Sequence, residues 1–105
     1  ASGELVLDVG EIDWIEADDY YAAIYARGRR HLIRMSLSML EERLDPSVFL
    51  RVHRAAIVNA DEVREIRDDG RLILRLSDGA EVTVSRSRRR HVEPVLIPRL
   101  RSEQR

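Results

Sequence analysis

The chain contains no cysteine, no lysine and no long apolar run. Without cysteine, disulfides, thiol catalysis and cysteine-ligated zinc are excluded. No stretch approaches the length of a membrane-spanning segment, and no signal-peptide pattern opens the chain. Internal repeats and low-complexity stretches are also missing. There is no glycine-rich phosphate loop and no nucleophile beside a base. The three histidines, His31, His53 and His91, lack metal-ligand spacing. The pair Asp18-Asp19 has no catalytic neighbour and reads as a solvated turn. These gaps point away from an enzyme, a cofactor or a metal site, and toward binding.

What is present suits one small domain of 105 residues with a modest core. Hydrophobic content of 44% is ordinary and charged content of 35% is high. The chain opens Ala1-Ser2-Gly3 without methionine, so a piece of a longer protein with a cloning remnant in front is expected. The expected layout is an N-terminal segment with the first strand over 1–11, a domain over 12–97 and a polar tail over 98–105.

All 18 basic residues are arginine. A GC-rich coding bias is the simplest reason. The functional reading is that arginine's planar fork suits guanine and phosphate. A formal net charge of −1 does not mark a nucleic-acid binder, but the distribution is uneven. Residues 4–19 carry acids and no base, and residues 86–105 are strongly basic.

The apolar and aromatic runs 12–15 and 20–25 read as strands. Gly28, between Ile24-Tyr25 and Leu32-Ile33, suggests a hairpin. A helix through EADDYYAAIYA is the rival. Ser38 followed by Glu41 has capping-box spacing, with Leu37, Leu40 and Leu44 on one helical face ended by Asp45-Pro46. Asp69-Gly70 and Asp78-Gly79 divide the next runs into a three-stranded meander. Leu72, Leu74 and Leu76 give it one apolar face. Ser85 or Ser87 can cap a last short helix carrying Val92, Val95 and Leu96, with Pro94 limiting it. Trp14 and Phe49 read as core, and Tyr20, Tyr21 and Tyr25 are undecided. The class is mainly β, with elongated antiparallel sheets of short strands and one or two short helices.

Two basic clusters each end a short β run, at Arg51, His53 and Arg54 and at Arg86, Arg88, Arg89 and Arg90. Cations at a helix start oppose its dipole, so stability alone does not explain the second cluster. A helix start with free N–H groups and arginines suits an anion. The bland alternative pairs these arginines with the acidic segment 4–19. The first cluster is equally well read as an edge strand guarded against aggregation.

Together these pieces resemble the LytTR-type DNA-binding domain of bacterial transcriptional regulators. The matching segments are IDWIEADDYY (12–21), SLSMLEERL (36–44), FLRVHRAAIVN (49–59), LSDGAEVTVSR (76–86) and the closing basic helix. The resemblance covers 12 to about 96.

The resemblance implies an elongated fold that inserts loops, not a recognition helix, into successive major grooves of double-stranded DNA at repeated half-sites. It implies Arg54 and Arg86 as base readers. His53, Ser85, Arg88 and Arg89 would position the DNA backbone, and the first loop would contribute through Tyr20 and Tyr21. Ala55 stands where the family usually has a small hydroxyl residue, which removes one phosphate contact. The implied setting is a cytoplasmic output module of a response regulator. A receiver or sensor domain lies elsewhere in the full protein, two copies occupy a full DNA site, and this segment makes no membrane contact. The alternatives are a PilZ-type cyclic-dinucleotide-binding β-barrel, suggested by the RxxxR spacing of Arg86 and Arg90, and a β-rich protein-interaction module. The PilZ pattern needs a downstream (D/N)xSxxG element, and none follows Arg90.

Overall fold

The computed structural model describes the backbone of residues 7–103 and the side chains through Arg99. Eight strands and two α-helices form the described domain. A five-stranded antiparallel sheet is built from β1 (Ile12–Asp18), β2 (Tyr21–Ala26), β3 (Arg29–Ile33), β4 (Phe49–His53) and β5 (Ala56–Asn59). Its spatial order is β3-β2-β1-β5-β4. The helix α1 (Leu37–Arg43) lies between β3 and β4 in sequence. A second sheet is the meander β6 (Val63–Asp68), β7 (Leu72–Leu76) and β8 (Glu81–Val84), and α2 (Arg89–Glu103) follows it. The molecule is elongated, 49 × 29 × 22 Å.

The hairpins form where the sequence permits unusual backbone. The β2–β3 turn has positive φ at both Arg27 and Gly28, as a two-residue turn matched to strand twist requires. Gly28 removes the steric cost at one position. The β1–β2 turn uses Asp19, at φ 53°, because aspartate tolerates the left-handed region better than most residues. The strand reading of 17–26 therefore holds, and the helix rival does not.

Alternation along β4 and β5 divides the apolar side chains between two cores. Phe49 and Ile57 join Ile15, Ile24 and the α1 residues Leu37 and Leu40. Leu50, Val52 and Val58 face the other way, onto Leu72, Leu74, Leu76, Val84 and the α2 residues Val92 and Leu96. All four residues of β5 are buried. Full burial of side chains such as Leu74 and Leu76 contributes about 1.5–3 kcal/mol each. Among the described residues Asn59 is the buried polar exception, and both ends of its amide are satisfied. Its Nδ2 donates to the Ile12 carbonyl at 2.9 Å, and its Oδ1 accepts from the Asp61 N–H at 2.9 Å.

Several expectations need correction. The α1 cap is Ser36, whose hydroxyl accepts from the Met39 N–H at 3.1 Å. Burial of Leu37 pulls the helix start two residues ahead of Ser38. Neither Ser85 nor Ser87 caps the last helix; Ser85 makes no side-chain capping bond, and a 3-10 turn over Arg86–Arg88 intervenes. The helix α2 runs 15 residues, through Pro94 and Pro98, into the segment expected as a tail. Each proline denies a bond to the carbonyl one turn back, at Arg90 and Pro94. Both of those residues are exposed, so water can serve the freed carbonyls, while Val92 and Leu96 stay buried. The strand expected within 1–11 falls partly outside the described residues; Val9–Glu11 form a 3-10 turn.

Candidate nucleic-acid interface

Both basic clusters occupy one region because two sheet edges meet there. β4 and β8 are edge strands of their sheets, and edge strands carry unpaired backbone groups. Just past β8, the Ser85 N–H donates to the Val52 carbonyl at 2.9 Å. The turn after β4, which holds Arg54 and Ala55, thus lies beside the segment that opens with Ser85 and Arg86. Ala55 in turn accepts at its carbonyl from the Ala17 N–H at 2.8 Å. This ties the β4–β5 turn to β1 and brings the first loop into the same region. A groove of about 500 Å³ is lined by Tyr20, Tyr21, Arg34, Met39, Arg51 and Arg54, among others.

The arginines of this region divide by what surrounds them. Arg54 and Arg86 are exposed, and neither guanidinium has an ion-pair or hydrogen-bond partner among the described residues. Arg51 is committed. Its Nε donates to the His53 carbonyl at 2.9 Å, one terminal nitrogen to the Arg54 carbonyl, and the other to Glu41 at 3.0 Å. Arg88 lies 3.8 Å from the second oxygen of Glu41. Arg89 is held by Asp68 at 2.6 Å and Glu93 at 2.7 Å. The Arg89 guanidinium beside it, with the Gly70 N–H, keeps the Asp68 carboxyl below the usual carboxylate range. Among the described residues, partners of the second basic cluster are Glu41, Asp68 and Glu93, not the acids of 4–19.

His53 is half-buried, and its Nδ1 accepts from the Ala55 N–H at 3.0 Å. Burial first, then the Arg51 charge, pushes its pKa below the ordinary histidine value, while Glu16 opposes the shift. The neutral ring keeps Nδ1 as an acceptor and leaves Nε2 to donate outward. Ser85 is half-buried and contributes its backbone; its hydroxyl is 3.4 Å from that of Ser87.

The tyrosines separate too. Tyr20 is 83% exposed and Tyr21 43%, so both can meet a partner. Tyr25 stacks on Trp14 at 4.5 Å between ring centroids, donates to Glu16 at 2.5 Å and accepts from Arg30 at 3.1 Å. Trp14 packs against the second core, as expected, and its Nε1 is buried without a hydrogen-bond partner. Among the described residues no three metal-binding side chains converge, and no helix is long and apolar enough to cross a membrane.

Residues 3–96 match the family model described as the LytTr DNA-binding domain. The chain belongs to this family. The fold agrees: a solved LytTr DNA-binding domain of a response regulator from Bacillus cereus superposes with a TM-score of 0.76 at 27% identity, covering 83% of this chain and 82% of that one. The heme-containing CO-sensing transcriptional regulator RcoM 1 of Paraburkholderia xenovorans is 36% identical over 95 residues, which is 88% of this chain. The transcriptional regulatory protein YpdB of Escherichia coli is 34% identical over 87 residues, 80% of this chain. The LytTR domain described here spans 36% of the length of each of these two relatives.

Within this LytTR domain, Tyr20, Tyr21 and Arg54 line one groove, and Ser85 bonds to Val52 beside His53 with Arg86 next along the chain. Arg88 reaches Glu41, and Arg89 turns onto two carboxylates. Sequence reading missed Glu41 and the tied state of Arg51. The Ser-x-x-Glu spacing that marked Glu41 was assigned to a helix cap. Arg34 belongs to no motif, and only the folded groove places it near Arg54.

Proposed function

We propose that this LytTR domain is a sequence-specific reader of double-stranded DNA and the output module of a larger cytoplasmic transcriptional regulator. The observation that supports this is the Ser85–Val52 bond, which joins the strand ends just before two exposed arginines, Arg54 and Arg86, that have no internal partner among the described residues. An exposed arginine without an internal carboxylate keeps its fork free for O6 and N7 of guanine. Tyr20 and Tyr21 extend the surface from the first loop, and Arg88 supplies a phosphate contact. His53 Nε2 and the Ser85 hydroxyl offer neutral bonds to the DNA backbone. The 49 Å long axis exceeds the spacing of about 34–36 Å between successive major grooves, which suits loop insertion into two of them. The receiver or sensor that governs the module would lie in the remainder of the full-length protein.

Selection from a random duplex pool followed by mobility shift tests the reading. Enrichment of one motif, repeated at helical spacing, is the expected result. Retention of every duplex alike, or of none, would overturn it. Binding of a cyclic dinucleotide without DNA retention would favour the PilZ-like alternative.

A further inference from the structure

We infer that Arg51, anchored by Glu41, is a positioning residue that sets the DNA-reading turn without itself touching DNA. The inference rests on the DNA-reading role proposed above. In the sequence Arg51 belongs to a basic cluster and looks like a ligand for phosphate. In the structure its side chain is only 10% exposed. Its guanidinium spans two successive carbonyls, those of His53 and Arg54, and reaches Glu41 with the remaining nitrogen. Glu41 offsets part of its charge, and with its Nε and both terminal nitrogens engaged the guanidinium has little left to offer a phosphate.

The turn needs such a clamp. Pairing between β4 and β5 shifts register between Arg51 and His53, so the ladder is irregular where Arg54 leaves it. Besides the Arg51 clamp, the turn is held by the His53 Nδ1 bond to the Ala55 N–H and the Ala55 carbonyl bond to Ala17. The ladder pairs His53 with Ala56 as well, and none of these contacts reaches the Arg54 carbonyl. Bidentate reading of guanine tolerates displacements of only about 0.5 Å in the side chain that makes it. A planar guanidinium can hold two carbonyls and one carboxylate together; a lysine ammonium cannot span them from one nitrogen. Glu41 extends the support, because its other oxygen faces Arg88. One carboxylate on α1 therefore backs both basic clusters.

The test compares Arg51→Lys, Arg51→Met and Glu41→Gln with the unaltered chain, using the duplex recovered from the random pool and a scrambled duplex. The expected result for Arg51→Lys is a fall of about tenfold in preference for the selected duplex, the scale of one lost base contact. The salt dependence of binding should not change. Without DNA, amide exchange at Arg54 and Ala55 should accelerate. Glu41→Gln should shift every readout in the same direction by less, and its exposed position protects the fold if Arg51→Met does not fold. A salt slope lowered by about 1 with exchange unchanged would make Arg51 a phosphate contact and overturn the inference. Unchanged preference and unchanged exchange would also overturn it. An unaltered chain without duplex preference would remove the DNA-reading role instead, and the exchange result would then decide alone whether Arg51 orders the turn.

Discussion

The Ser85 N–H bonds to the Val52 carbonyl at 2.9 Å and joins the two sheets where both basic segments leave their strands. Arg54 and Arg86, 32 positions apart by their numbers, each lie one or two residues beyond that junction. If both read guanine, Arg54→Ala and Arg86→Ala should each cost about 1–3 kcal/mol and relax preference at one base position. Titrations against single-base variants of the selected site check this. A loss spread evenly over all sequences would make the residue a phosphate contact.

Arg88 and Arg89 should behave differently although they are adjacent. Arg88→Ala is expected to lower the salt slope of DNA binding by about 1. Arg89→Ala should leave the slope nearly unchanged and lower the melting temperature, because Arg89 links Asp68 to Glu93. The Asp68 carboxyl is depressed in the folded state, so its stabilisation is present above its ordinary value of 3.8 and is lost as pH falls through the folded value. Arg89→Ala should flatten that acid limb in melting curves. Equal salt slopes for the two variants would refute the distinction.

His53 should make the fold weaken on mild acidification. Its pKa in the folded state lies below the ordinary 6.5, so near and below 6.5 the unfolded chain binds more protons than the folded one. Stability is therefore full above that value and declines as pH drops toward the folded pKa. Protonation also converts Nδ1 from acceptor to donor and removes the Ala55 bond. Urea unfolding at pH about 7 and about 5.5 should show the decline, and His53→Gln should shrink it. An undiminished decline in that variant would assign the effect elsewhere.

Asp13 stands among acids, and its pKa is raised by burial first and then by Glu62 and Asp78, with Arg64 opposing. Ionised Asp13 is thus unfavourable at neutral pH. Asp13→Asn should stabilise the domain there by roughly 0.5 kcal/mol after allowance for solvent screening. The gain should fade as pH falls into the carboxylate range, where the native carboxyl takes up a proton before an ordinary aspartate would. Thermal melts at two pH values decide it; a loss at neutral pH would sink the idea.

One module of this kind covers about 600–1,000 Å² on DNA, which rarely suffices for tight specific binding. Two copies on one duplex would raise affinity through effective concentration. Sedimentation with labelled duplex should find the free chain monomeric and a saturated full site holding two copies. One copy per saturated full site is the contrary outcome.

Much of the fold was legible in the chain because its causes are local. Leu72, Leu74 and Leu76 alternate with a period of two, Asp-Gly pairs permit positive φ, and Leu37 and Leu40 share a helical face. Those rules placed the meander, the β2–β3 hairpin and α1. They failed at α2, where Pro94 and Pro98 argue locally for a break. The burial of Val92 and Leu96 overrides them, and exposed positions carry the freed carbonyls.

The functional edge divides in the same way. The sequence alone determined which residues could serve: arginines grouped after strands, with hydroxyls and a histidine between them. It could not say which arginines were already engaged, since ion pairs depend on positions distant along the chain. Glu41 lies 10 residues from Arg51, and Asp68 lies 21 from Arg89. Only the folded chain brings Glu41 of α1 to Arg51 of β4, and Asp68 at the end of β6 to Arg89 of α2. Tertiary structure thus decided that Arg51 and Arg89 are held inside the protein's own network, while Arg54 and Arg86 keep their hydrogen-bonding forks free.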